Sequence, residues 1–270
     1  GKADRAVDRS IASYEKQIIQ SYRNSLVEIK KKIAAIFEKY GNDVTYQDMQ
    51  TYNRLINLET EIAEQLKLLT GENVKITTKS IKQSFVESYY KTSESVESVL
   101  NVKIAFGQLN PNVISASVLN PIDRIKWPDR LKEHVNVLNR QIREEISQGL
   151  IEGKGYAKIA RGITERTKIC NHKALTIART ESGRAQSSAR VLAFEKSEAA
   201  AKRLGVTTKR VWLATADGRT RDSHAQMEGQ EANEKGKFVL PSGVETDGPR
   251  LSGVAKEDIN CRCTTSLKIF

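Results

Sequence analysis

The sequence predicts a mainly α fold: a long N-terminal helical bundle or arm, a basic helical region, and a small C-terminal α+β module. Two observations carry this. Apolar residues recur at three- and four-residue spacing from the N-terminus to Leu204, broken mainly at Gly and Pro, which is the period of an amphipathic helix. After Gly205 the period falls to two, and Gly, Pro and Asp-Gly turns crowd the rest of the chain, the pattern of short strands joined by tight turns. Composition agrees: of 270 residues 39% are hydrophobic, 6% aromatic and 29% charged, which suits long solvated helices.

The elements follow in order. From Ala3 to Lys39, Ile11, Tyr14, Ile18, Ile19, Tyr22, Leu26, Ile29, Ile33 and Ile36 share one helical face, and Gly41-Asn42 ends the helix. Thr45 to Leu69 forms a second helix through Tyr52, Leu55, Leu58, Ile62 and Leu66, with Gly71 as its stop. Thr77 to Leu100 forms a third through Ile81, Phe85, Val86, Tyr89 and Val96. Together they make a first domain, residues 1–105, built as an antiparallel bundle or an extended arm.

Residues 106–127 form a connector punctuated by Gly107, Asn110-Pro111 and Asn120-Pro121. A basic helical region, 128–205, follows. Pro128 suits a first helical turn, Leu131 to Leu150 carry that helix, Gly153-Lys154-Gly155 breaks it, and Tyr156 to Arg166 forms a short one. Asn171 to Leu204 is then a long basic helix closed by Gly205. Its small residues, Ala174, Ala178, Ser182, Ala185, Ala189 and Ala193, permit close helix approach. In the terminal module, 206–270, strands are expected at Thr207–Ala216, at "KFVL" and at "CRCTTSLKIF". A short helix is expected from Thr220 to Met227, capped by Thr220 or Asp222.

No apolar run approaches a membrane span, and no signal-peptide pattern opens the chain. The start at Gly1-Lys2, without methionine, predicts a processed or trimmed end. Three cysteines argue against a disulfide framework and for a reducing compartment.

The net charge of +11 is concentrated. Residues 1–152 hold 22 basic against 20 acidic side chains, 153–210 hold 14 against 4, and 211–270 hold 8 against 9. Such a stretch attracts a polyanion by counterion release or docks on an acidic protein surface. Arg179 and Arg190 are eleven residues apart, about 20° from eclipsed, while Lys173, Arg184 and Lys202 group on another side. The charge surrounds the helix, and no base-reading motif accompanies it. Lys173, Arg179, Arg184, Arg190, Lys202 and Arg203 are therefore expected to meet double-stranded DNA non-specifically, or a protein partner.

The terminal module gathers the chemistry-bearing residues. Asp217-Gly218-Arg219-Thr220-Arg221-Asp222-Ser223-His224 precedes Asn260-Cys261-Arg262-Cys263. On a strand, Cys261 and Cys263 would project to one face and Arg262 to the other. With His224 they make three ligands of a structural Zn site, with Asp217, Asp222, Cys170 or His172 as candidates for the fourth. The competing reading is two buried thiols beside a hydrogen-bonded imidazole, with Asp217, Arg221 and Asp222 in an ion-pair cluster. A catalytic use of the same residues, as a metal-dependent nuclease or other hydrolase, lacks the usual context: there is no Gly-rich phosphate loop, His-Glu-x-x-His or Gly-x-Ser-x-Gly.

The order "GLIEGKGYAKIARGI", "ARTE" (with Arg179-Thr180-Glu181), "W…DGRTRDSH…GQ" and "INCRC", over roughly residues 130–265, resembles the phage Mu protein F-like head morphogenesis family. That resemblance implies a minor head protein of a tailed phage or prophage, non-enzymatic, found in the head interior or at the portal vertex. Its implied partners are the portal protein, packaged DNA, and capsid or scaffolding protein, with assembly in the bacterial cytoplasm and no membrane. It also implies that Asp217, Arg219, Arg221, His224, Cys261 and Cys263 hold the terminal module together. Arg179-Thr180-Glu181 reads as an ion pair or hydrogen-bond anchor. Bacterial ADP-ribosyltransferases also use Arg and Glu, but on strands and with a Ser-Thr-Ser element missing here. The family's terminal module also occurs joined to toxin domains, which leaves a delivery module as an alternative. The chain's end seven residues after Cys263 predicts that no toxin domain follows.

Overall fold

A computed structural model describes residues 2–104 and 106–270, the side chains of residues 2–8 excepted. The reading of Gly1 as a processed end lies outside the described residues. The fold is mainly α with a small strand-containing C-terminal part, as predicted. Its helices are α1 (Lys2–Tyr40), α2 (Tyr46–Gln50), α3 (Arg54–Leu100), α4 (Pro111–Val118), α5 (Trp127–Ile151) and α6 (Tyr156–Arg203). After them come β1 (Thr208–Leu213), α7 (Asp222–Ala225), β2 (Phe238–Val239), β3 (Glu245–Thr246), α8 (Ala255–Asp258) and β4 (Thr264–Ile269). Among the described residues no helix is long and apolar enough to cross a membrane.

Two helices are longer than expected. Gly71 does not stop the second predicted helix: α3 runs through it, because the buried stripe continues without a gap through Leu66, Leu69, Asn73, Ile76, Ser80 and Ile81. A glycine inside a helix costs only about 1 kcal/mol relative to alanine, less than burying a single leucine side chain contributes. The break falls earlier, at Thr51–Asn53, where Tyr52 and Asn53 both have φ 56°. There a capping box between Thr45 and Asp48 starts α2, and the Arg54 guanidinium lies over the Tyr40 and Tyr52 rings. The predicted short helix and the basic helix are likewise one, α6, joined by the buried run Ile163, Thr167, Cys170 and Ala174. Gly153 and Gly205 do end helices, both with positive φ. At Gly205 the amides of Val206 and Gly205 return to the carbonyls of Ala201 and Lys202, a Schellman closure.

The chain forms two compact units, each drawn from separate stretches of sequence, so that α3 and α6 contribute to both. One comprises Tyr14–Ile76 and Pro128–Leu175. Its core holds Ile18, Tyr22, Ile29, Ile33, Leu58, Ile62, Leu138, Ile142, Ile146 and Ile159, all 5% exposed or less. Asn73 donates to the Ser21 hydroxyl at 3.0 Å, and the Tyr22 hydroxyl meets the Cys170 sulfur at 3.4 Å.

The other unit is built mainly from Thr77–Trp127 and Thr176–Phe270. Here the small residues of α6 do permit close approach: the hydroxyls of Ser80 and Ser182 share a hydrogen bond at 2.8 Å, and Ser88 donates to the Gln186 carbonyl at 3.0 Å. Within residues 106–127, expected to be a connector throughout, lies a helix, α4. Asn110 caps it by accepting from the Asn112 amide, Pro111 opens it, and the buried Trp127 indole donates to its last carbonyl, on Val118, at 2.7 Å. In the terminal module β1 pairs antiparallel with β4, from Thr208↔Ile269 to Leu213↔Thr264, and β2 with β3. Trp212, Met227, Ala232, Phe238, Leu240, Cys261 and Cys263 form its small core.

Candidate functional site

Two side-chain arrangements tie the terminal module together, and both lie within the second unit. The first is a buried ionic latch on α6. Arg184 is 3% exposed, and its Nη1 donates to Glu181 at 3.0 Å and to the Asn120 carbonyl at 2.8 Å. Its Nε donates to the Arg250 carbonyl at 3.1 Å and lies 3.7 Å from Asp258. Asp258 in turn accepts from the Ser252 amide and hydroxyl and from the Gly253 amide. Arg250 reaches back to the Gly183 carbonyl, the Gln186 side chain and the Cys261 carbonyl. Thr180 accepts from the Asn260 amide at 3.4 Å. The Arg179-Thr180-Glu181 triplet thus contributes a structural anchor through its second and third members, while Arg179 itself is exposed.

This corrects the expected DNA-contact set. Arg184 is an internal residue, since its guanidinium is consumed by two carboxylates and backbone carbonyls. Lys173, Arg179, Lys202 and Arg203 are exposed, and Arg190 is half-buried. The buried Arg184 and Arg210 pair with Glu181 and Glu198. Of the fourteen basic and four acidic residues in 153–210, twelve and two therefore remain outside these pairs, and Lys154, Arg166 and Lys209 among the twelve pair with Glu152, Glu145 and Glu231 from outside the stretch.

The second arrangement joins the two terminal motifs. His224, on α7, is 2% exposed; Cys261 and Cys263 are 8% and 2% exposed. The cysteines precede β4 rather than lying on a strand as expected, yet both sulfurs turn to the same imidazole nitrogen. His224 Nδ1 lies 3.4 Å from the Cys261 sulfur and 3.7 Å from the Cys263 sulfur, and one ligand atom from each residue lies within 4.8 Å of the others. His224 Nε2 meets the buried Glu257 carboxylate at 3.0 Å. The Trp212 ring stands edge-on to the imidazole, and Phe238 stands edge-on to Trp212.

The Cys261 thiol hydrogen-bonds to Cys263 and favours the Cys263 thiolate, holding that group well below the usual thiol range, while the same contact and burial push Cys261 up. The hydrogen bond to Cys263 raises the His224 imidazole, with burial opposing and Glu257 adding to the rise. Both nitrogens of a buried imidazole are thereby engaged, an arrangement suited to holding structure rather than to reaching a phosphodiester or acyl substrate.

Around this cluster, Asp217 takes a bidentate pair with Arg262 and accepts from the Arg219 amide at 3.0 Å. Arg221 donates to the Ile259 carbonyl. Two expectations change here. The N-cap of α7 is Arg221, not Thr220 or Asp222; Thr220 instead donates to the Thr215 carbonyl. The expected Asp217–Arg221–Asp222 cluster does not form as such: Asp217 takes Arg262, and Asp222 is an exposed first-turn residue of α7. Of the suggested fourth ligands, Cys170 is held in the first unit by Tyr22 and the His134 carbonyl. Glu257, Asp258 and Arg250 were missed. The signal for Glu257 and Asp258 was the charged "KED" immediately before "INCRC", whose spacing is not that of metal ligands; Arg250 had none.

A model of phage Mu protein F like proteins matches residues 140–266, and the chain belongs to that family. It is 30% identical over 262 residues to the minor head protein GP7 of Bacillus phage SPP1, covering 96% of this chain and 83% of GP7. It is also 35% identical over 253 residues to the NAD(+)–arginine ADP-ribosyltransferase EFV of Enterococcus faecalis, covering 93% of this chain. The chain spans half the length of that transferase. No solved structure matches the chain.

Proposed function

We propose that this chain acts as a minor head protein that joins the head at the portal vertex, lies against the packaged genome, and binds double-stranded DNA without sequence preference. The observation that carries the reading is the match to a minor head protein along nearly the whole chain. The surface charge of 153–210 adds to it: Lys173, Arg179, Lys202 and Arg203 offer exposed cations for phosphates, and phosphate contacts position a protein without reading bases. The same surface would serve an acidic face of the portal, or of capsid or scaffolding protein.

DNA binding is tested by titrating random duplex DNA at two salt concentrations, beside a variant with Lys173, Arg179, Lys202 and Arg203 each changed to Glu. The reading expects affinity that falls steeply with salt, and in the variant a salt slope shallower by about one for each phosphate no longer neutralised. Salt-independent binding, or none at low salt, assigns the charge to a protein partner instead.

A second reading rests on the match to half of a transferase: this chain would be the delivery half of a longer protein. Arg179 and Glu181 sit on a helix, and Glu181 is buried against Arg184, which speaks against transfer chemistry at that pair. Incubation of the chain with NAD(+) and an arginine acceptor is expected to give no transfer. Transfer would locate the chemistry in the shared half and displace the structural reading.

A further inference from the structure

We propose that His224, Cys261 and Cys263 bind a thiophilic divalent transition metal, Zn²⁺ by class, through one imidazole nitrogen and two sulfurs, with Glu257 positioning the histidine. Distance is the first argument. Zn–S bonds of about 2.3 Å and Zn–N bonds of about 2.0–2.1 Å in a tetrahedron set a nitrogen–sulfur edge of about 3.5 Å. The observed edges, 3.4 and 3.7 Å, bracket that value, and all three ligand atoms lie within 4.8 Å of one another, so the nitrogen–sulfur edges already match those of a bound ion.

The tautomer is the second argument. Glu257 is 3% exposed and lies 3.0 Å from Nε2. A buried carboxylate there accepts the ring N–H, which leaves the Nδ1 lone pair facing both sulfurs. A carboxylate behind a histidine in this way is the usual support of a metal-bound imidazole, fixing ring orientation and raising its basicity.

The third argument comes from the sulfurs themselves. Both sulfurs are buried, and both turn to one imidazole nitrogen. Two sulfurs and one imidazole select Zn²⁺ over Mg²⁺ or Ca²⁺, which require oxygen. On binding, each sulfur that ligates as thiolate releases its proton to solvent, and the two bonds from sulfur to metal replace the S–H bonds.

The consequence is mechanical. The ion would tie α7 to a segment 37–39 residues further along the chain, beside a core of seven buried residues. Small cores gain most from such a staple.

The test uses the full chain, stripped with chelator under reducing conditions and titrated with Co²⁺ and then Zn²⁺. One Co²⁺ per chain is expected, with the strong visible bands of a tetrahedral site and a near-ultraviolet sulfur-to-cobalt band, both erased by Zn²⁺. Cys261→Ser and Cys263→Ser should each lower the sulfur-to-cobalt band, and Cys170→Ser should leave it intact. Glu257→Gln should keep the bands while weakening affinity roughly 10–100-fold. A wild-type chain that keeps its helical circular dichroism but takes up no Co²⁺, or takes it up without a sulfur band, overturns the proposal. A band that disappears equally in Cys170→Ser also overturns it. The wild-type spectrum reports sulfur ligation by itself, so a serine variant that fails to fold does not remove the test.

Discussion

Arg184 shows what burial does to a charge that a linear reading assigns to the surface. Its guanidinium is surrounded by Glu181, Asp258 and three backbone carbonyls, and removing it would leave two buried carboxylates facing one another. Arg184→Ala is expected to cost about 3–5 kcal/mol in denaturant unfolding, against a few tenths for Lys202→Ala, which is exposed. An Arg184→Ala chain as stable as the parent would remove the latch from this account. Asp217 gives a pH prediction of known sign. Its pairing with Arg262 holds the carboxyl below the usual carboxylate range, so the contribution is present above the unfolded value of about 3.9 and is lost as pH falls below it. The melting temperature of Asp217→Asn should therefore differ from that of the parent near neutrality and converge with it in strong acid; parallel curves at all pH values would contradict the pairing. At this scale the sequence offered residue types and little else. Charge on a helix whose interior is small and polar does not reveal which arginine turns inward, and the backbone carbonyls that accept from Arg184 come from segments more than sixty residues away.

Helix ends were legible where a backbone conformation demands glycine and illegible where glycine was merely present. Gly153 and Gly205 adopt positive φ and terminate α5 and α6, whereas Gly71 lies inside α3 with nothing within 4 Å of where a Cβ would sit. Gly71→Ala is thus expected to raise stability by about 0.5–1 kcal/mol, measured by urea denaturation; a loss would mean that the chain turns at Gly71 after all. Gly149 is the opposite case: an added Cβ would meet Ile159 side-chain carbons at 2.6 and 2.7 Å, so Gly149→Ala should destabilise. α4 was legible in principle. Asn110-Pro111 is an N-cap followed by a first-turn proline, read as a turn because the same dipeptide also punctuates loops. The strands were located through the period of two, but their lengths were overstated, since β2 and β3 are two residues each and burial there comes from loops packed round Trp212 and Phe238.

For the whole molecule, the motifs made the family legible while the division of the chain into compact units was not, because long-range packing couples the first half of α3 to α5 and its second half to the second half of α6. The site was legible as three residues and incomplete without Glu257, whose role depends on a fold that carries α8 beside α7. The proposed role requires that this chain join a phage head through the portal. Co-expression with the portal protein of the same genome, followed by sedimentation of assembled portal rings, tests that contact. The chain is expected to sediment with the rings in a fixed, salt-sensitive ratio. A chain that remains wholly at the top of the gradient while the rings assemble normally would contradict it.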